Sequence, residues 1–143
     1  MPQLLLDPTI FGPITAESAT LASLALRLVL GIIFVVHGFP KLVGEGPQQT
    51  AEFLRSLRIP APILIAVFVG TLEVLGGIFL FVGYLTSLVA ALFALEMIGT
   101  TLAIKLRQGL VGGYEFDLVI FAASIALVFL GGGAFSVDGF ILQ

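Results

Sequence analysis

The chain has 143 residues, 59% of them hydrophobic and 10% charged, with a formal net charge of −3 and a mean hydropathy of +1.19. A soluble domain carries about 25% charged residues, so this chain has too few polar groups to clothe a soluble surface, and lipid must cover it. No cysteine, one histidine and no basic block exclude a disulfide framework, a thiol relay, a dedicated metal site and nucleic-acid binding.

Residues 1–17, MPQLLLDPTIFGPITAE, read as an apolar tail broken by Pro2, Pro8 and Pro13. The tail is too broken to span and lacks the positive n-region of a cleavable signal peptide. Leu4, Leu5, Leu6, Ile10 and Phe11 suit an interface or a partner. Residues 18–143 read as one all-α membrane domain, a four-helix transmembrane bundle. A span needs about 20 apolar residues.

The first span, about 18–39, has Thr15 or Ser18 as its cap and Pro40 as its stop. Arg27, Gly31, Phe34, Gly38 and Lys41 fall at i, i+4, i+7, i+11 and i+14 and share one face. Two glycines on that face suit close helix approach, and His37 lies roughly a quarter-turn away. Between residues 42 and 61 the pattern predicts a short interfacial helix over Pro47–Leu57, with Phe53, Leu54 and Leu57 on one side.

The second span, about 62–84, puts Ala66, Gly70, Glu73 and Gly77 on one small-residue face, which aims the acid into the bundle. The third, about 85–106, follows almost without a loop and carries Glu96, with Gly99, Thr100 and Ala103 on the same side. Residues 107–114 read as a Gly-rich turn. The fourth span, about 115–130, opens on Glu115 and Asp117, where the helix dipole favours negative charge. Gly131-Gly132-Gly133 ends it, and a short tail follows.

Lys41, Arg55 and Arg58 follow span one, and Lys105 and Arg107 end span three. The other connections and both tails carry no Lys or Arg. This bias predicts a multi-pass protein of a prokaryotic inner membrane with both termini outside.

Charges inside spans are costly unless paired and usually mark function. Counted from the start of their own spans, Glu73 and Glu96 each lie ~16 Å deep and Arg27 at a similar level. This predicts that Arg27, Glu73 and Glu96 converge at the midplane, with one acid holding a proton. They are the proton-handling candidates, and a buried ion pair that only fixes packing is the plainer alternative. His37, Lys41, Lys105, Arg107, Glu115 and Asp117 form a second group at one membrane boundary. Among these, His37, Lys41, Lys105 and Glu115 are the candidates for contact with a quinone or a headgroup. Snorkelling cations and first-turn acids explain the same group without function.

The arginine-to-lysine order of span one, Glu73 followed by Gly76-Gly77, Gly113-Tyr114-Glu115 opening span four, and the Gly-rich end followed by Ser136-x-Asp138 together resemble the DoxX family over about residues 20–140. The resemblance implies a four-helix integral membrane bundle and points to Arg27, Gly31, His37, Gly38, Lys41, Glu73, Glu115 and Asp138. It implies kinship with a membrane subunit associated with thiosulfate:quinone oxidoreductase, and with accessory parts of redox or stress-response systems. Gly131-Gly132-Gly133 departs from an expected Gly-Pro-Gly. Fold kinship transfers no reaction, since function resides in the site.

The leading expectation is an integral membrane subunit of a quinone-linked redox system or another membrane complex, not catalytic alone. It has no intrinsic cofactor, with quinone as the candidate ligand and the bilayer and other membrane subunits as partners. A purely structural subunit is the first alternative. A small transporter or lipid-handling protein is the second, which with four spans needs a homo-oligomer or internal repeats.

Overall fold

The computed structural model describes residues 15–141. The apolar tail expected at the interface lies, up to residue 14, outside the described residues. The described chain is helical, and four continuous helical stretches, Ala16–Leu42, Pro62–Val82, Thr86–Gln108 and Leu110–Leu130, are long and apolar enough to cross a membrane.

Helix α1 (Ala16–Leu42) starts on a capping box, in which Thr15 and Ser18 each accept from the other's backbone N–H. Pro40, expected to stop it, lies inside the helix. Its missing N–H removes one backbone bond in the last turn, where tertiary contacts hold the chain helical. Leu42 packs where a Gly70 side chain would stand, and Lys41 bonds Glu73.

Helix α2 (Gly46–Ser56) buries Ala51 and Leu54 against Ala66. Phe53 and Leu57, expected on the same side, are exposed. Helix α3 (Pro62–Val82) ends at Gly83, whose φ of +75° makes the turn, and α4 (Thr86–Thr100) starts three residues later. Helix α4 runs on through a wide π-helical turn (Thr101–Lys105) and a 3-10 turn (Leu106–Gln108). Residues 110–114, expected as a plain turn, are wound helically with a kink at Val111 and Gly112. Helix α5 (Glu115–Leu130) and the short α6 (Val137–Ile141) complete the fold.

The expected face of α1 is the buried one: Arg27, Gly31, Phe34 and Gly38 all point inward. A Cβ on Gly31 would stand 2.7 Å from the Gly77 carbonyl oxygen, and one on Gly77 would stand 2.8 Å from the Gly31 carbonyl oxygen. Small residues therefore let α1 and α3 pack backbone to backbone. Helix α1 packs mainly on α3 and α4 mainly on α5, while α3 and α4 meet more sparsely. The stacked rings of Phe34 and Phe93, with centroids 3.4 Å apart, join the two pairs at the core. Leu64, Phe68, Leu95, Leu102, Val119 and Phe129 point outward, as expected where lipid replaces water.

The α3–α4 turn closes one end of the bundle. There the C-terminal segment folds over it: Asp138 accepts from the Leu85 and Thr86 N–H groups, both at 2.8 Å, and caps α4. Ser23 donates to the Gly131 carbonyl at 2.5 Å. The opposite end, covered by α2, is where the two helix pairs separate.

Candidate functional site

At the α2 end the separation of α3 from α4 leaves a cavity of about 420 Å³. Of α3 only Ile65, Ala66, Val69 and Glu73 line its wall, and of α4 only Glu96, Met97, Gly99 and Thr100, followed by Ala103, Ile104 and Lys105 of the π-helical turn. The reason is geometric: a hairpin pinned at its turn diverges toward its open end. Phe53 and Leu54 of α2 roof it, and its lining is overwhelmingly apolar. Volume and lining match a site for a small, mostly apolar ligand.

Five charged side chains line this cavity. The Lys41 ammonium stands 2.5 Å from a Glu73 carboxylate oxygen, and the Lys105 ammonium 2.6 Å from an Asp117 carboxylate oxygen. Each acid is about 5% exposed or less and each lysine about 30%, so the acids are anchored within the bundle and the lysine stems reach in from its end. Each pair joins two helices, α1 to α3 and α4's extension to α5. Thr101, in the π-helical turn, also donates to Asp117 at 3.4 Å. Such turns occur often at functional sites.

Glu96 lies between the two pairs. Its carboxyl is close enough to feel the charges of Glu73, Lys41 and Asp117. Its Oε2 is buried and has no protein partner. An unpartnered buried carboxyl oxygen is costly, and Glu96 is one of the residues that line the cavity.

Arg27 does not join this group, contrary to expectation. The guanidinium is 1% exposed and donates to the carbonyl oxygens of Leu80 at 3.4 Å and Phe135 at 2.7 Å. Asp138 is the carboxylate that acts on its charge. Leu80 is seven residues beyond Glu73, or ~10 Å along α3. The glycine contact of Gly31 with Gly77 sets the antiparallel register, and the first turns of α1 then extend past the end of α3. Depths counted from the start of each span are not comparable across that overhang.

His37 lines the cavity rim but is largely exposed, with Nδ1 donating to the Ile33 carbonyl at 2.8 Å. Its ring lies 6.3 Å from that of Phe116 and with it closes the gap between α1 and α5. Glu115 is exposed and accepts from the Gly112 N–H at 3.0 Å, which fixes the kinked turn and not the cavity. Arg107 is exposed too. Asp117, one turn-face away from Glu115, is the first-turn acid that reaches the site. The i to i+12 pairing with Lys105 across a kinked connection leaves no simple periodic trace. No group of three or more His, Cys, Asp or Glu residues able to hold a metal exists among the described residues.

The chain matches the DoxX family model over residues 22–106. It is 34% identical over 127 residues to "Putative oxidoreductase CatD" of Bacillus subtilis, covering 89% of this chain and 92% of that protein. It is 29% identical over 123 residues to "Inner membrane protein YphA" of Escherichia coli, covering 80% and 86% of the two chains. It is 27% identical over 128 residues to "Uncharacterized membrane protein Rv3486" of Mycobacterium tuberculosis, covering 80% and 78%. No solved structure matches the chain. With a matching model across more than half of its length, a relative above 30% identity and the four-helix membrane architecture, this chain belongs to the DoxX family.

Proposed function

We propose that the protein is a proton-handling, quinone-binding subunit of a membrane redox system. The observation that carries this reading is Glu96, a lining residue of an apolar cavity beside Glu73, with one buried carboxyl oxygen that has no protein partner. Three carboxylates (Glu73, Glu96, Asp117) against two ammoniums (Lys41, Lys105) leave one negative charge in low dielectric. One proton on the Glu73–Glu96 pair removes it, as for paired carboxyls elsewhere.

The cavity residues fit a quinone. Apolar walls suit the ring, the lysine ammoniums and the Thr100 hydroxyl can donate to carbonyl oxygens, and the Glu96 carboxyl can give or take a proton. When bound, a quinone supplies a two-electron, two-proton acceptor. The chain's own groups bind and orient the ring, exclude water with Phe34, Phe53 and Ile120, and hold the proton on the carboxyl pair. With no cysteine and one histidine, the electrons come from a partner subunit. The Bacillus relative's name, "Putative oxidoreductase CatD", agrees with this assignment. The positive-inside bias supports an inner-membrane location with both termini outside and the α2 end in the cytoplasm.

The test is gentle extraction followed by mass spectrometry of all co-purifying proteins and lipids. The expected result is a stoichiometric quinone and a redox partner with the wild type, and no quinone with Glu96→Gln. Equal quinone content in both, or none in the wild type, removes this reading.

A purely structural subunit is the second reading. It is favoured by the way each lysine–acid pair ties two helices together. It assigns no role to Glu96, so an assembled Glu96→Gln protein with full turnover of the complex would select it.

A further inference from the structure

We infer that the cavity is reached sideways from the bilayer, through a portal between α3 and α4 framed by Gly99 and Ala103, and that its ligand is a tailed lipophile whose tail rests in that gap. The inference rests on the proposed quinone reading for the head group only.

The two flanks of the cavity differ. On the α1–α5 flank His37 and Phe116 also line the cavity and are exposed, but two aromatic rings with centroids 6.3 Å apart stand there, and the His37 ring is fixed by its bond to Ile33. On the α3–α4 flank the wall includes Gly99 of α4 and Ala103 of the π-helical turn that follows it. Both line the cavity, both are exposed, and neither carries a side chain beyond Cβ that could close this flank. A Cβ on Gly99 would meet nothing within 4 Å. This glycine therefore does not serve helix packing, unlike Gly31, Gly70 and Gly77, and no atom of a neighbouring helix stands over it.

Position along α4 and the exposed neighbours point to lipid at this opening. Gly99 is the fourteenth residue of α4, ~20 Å from the α3–α4 turn, inside a hydrocarbon core of ~30 Å. The neighbours Leu95, Ile98 and Leu102 are exposed and apolar. A molecule crossing this opening comes from lipid and not from water. From the opening the Glu96 Oε2 lies one turn along the same helix, so a polar head can sit at the carboxyls while an apolar tail remains between α3 and α4.

The experiment uses the full chain in nanodiscs. Equilibrium binding is measured for a decyl-tailed dimethoxy-methyl-benzoquinone and for the same ring without a tail. Gly99→Phe is expected to weaken the tailed ligand at least tenfold, to leave the tail-less ring within about twofold, and Leu95→Phe, on the lipid face, to change neither. Equal affinity of wild type and Gly99→Phe for the tailed ligand overturns the portal.

A second measurement is independent of quinone. The chain has no tryptophan, so Thr100→Trp, in the cavity wall, reports lipid access by quenching in brominated phosphatidylcholine. Quenching close to that of Leu95→Trp supports the portal, and quenching as low as that of Leu127→Trp overturns it. If neither quinone binds the wild type while Thr100→Trp is quenched, the portal stands and the quinone assignment falls.

Discussion

The Lys41 ammonium, one residue after Pro40 in the last turn of α1, stands 2.5 Å from the carboxylate of Glu73, which is 4% exposed in the middle of α3. The contact holds the last turn of α1 in place and neutralises an acid that the bilayer would otherwise reject. Lys41→Met removes the partner and leaves Glu73 buried. The expected loss is about 3 kcal/mol, the low end for breaking a buried pair, read as thermal unfolding in detergent. A change below about 0.5 kcal/mol would show that the pair behaves as a surface contact.

Glu96 should respond differently. One of its oxygens has no protein partner, so Glu96→Gln sacrifices little, and a glutamine amide can donate to Glu73. Thermal stability is expected within about 1 kcal/mol of wild type. A loss as large as that of Lys41→Met would mark Glu96 as a structural residue and weaken its assignment as the proton carrier.

The glycines separate by role. Gly31→Ala forces a methyl against the Gly77 carbonyl oxygen and should cost about 1–3 kcal/mol by overpacking. Gly99→Ala meets open space in a helix and should be neutral or stabilising by up to about 1 kcal/mol. The same unfolding assay decides both, and a reversed order would contradict the packing described.

Arg27 and Asp138 act at the other end. Asp138→Ala removes the acceptor of two α4 N–H groups and should cost about 1–2 kcal/mol. Arg27→Leu leaves the Phe135 carbonyl without its donor, and limited proteolysis should then cut within residues 131–141 sooner than in wild type. Unchanged cleavage rates would mean the arginine does not hold that segment.

Orientation is checked with single cysteines, since the chain has none of its own. Cysteine at Glu45 or Gln108 should react with an impermeant maleimide only in inverted vesicles, and cysteine at Thr15 only in intact cells. Labelling with the opposite sidedness would reverse the assignment of the cytoplasmic face.

Much of the fold was legible because it rests on local pattern. Apolar runs of spanning length, the small-residue faces of α1 and α3, the amphipathic piece that became α2 and the Gly-rich stop of α5 all follow from side-chain type and helical period. The site was legible only in its membership: Glu73, Glu96, Lys41 and Lys105 were all candidates, but their pairing was not. Arg27 shares a depth with the acids only on a count from each helix's own start, and the overhang of α1 past α3 removes that match.

By itself, then, the sequence determined the membrane class, the four spans, the inward faces and the set of costly charges, since lipid rejects polar groups wherever they lie along the chain. Only the tertiary structure decided who meets whom. The Gly31–Gly77 contact slides α1 along α3 until Lys41, and not Arg27, reaches Glu73. The tight α3–α4 turn spreads the far ends of those helices into a cavity. Neither the axial offset nor the splay has a periodic signature, because both arise from contacts between segments far apart in the chain.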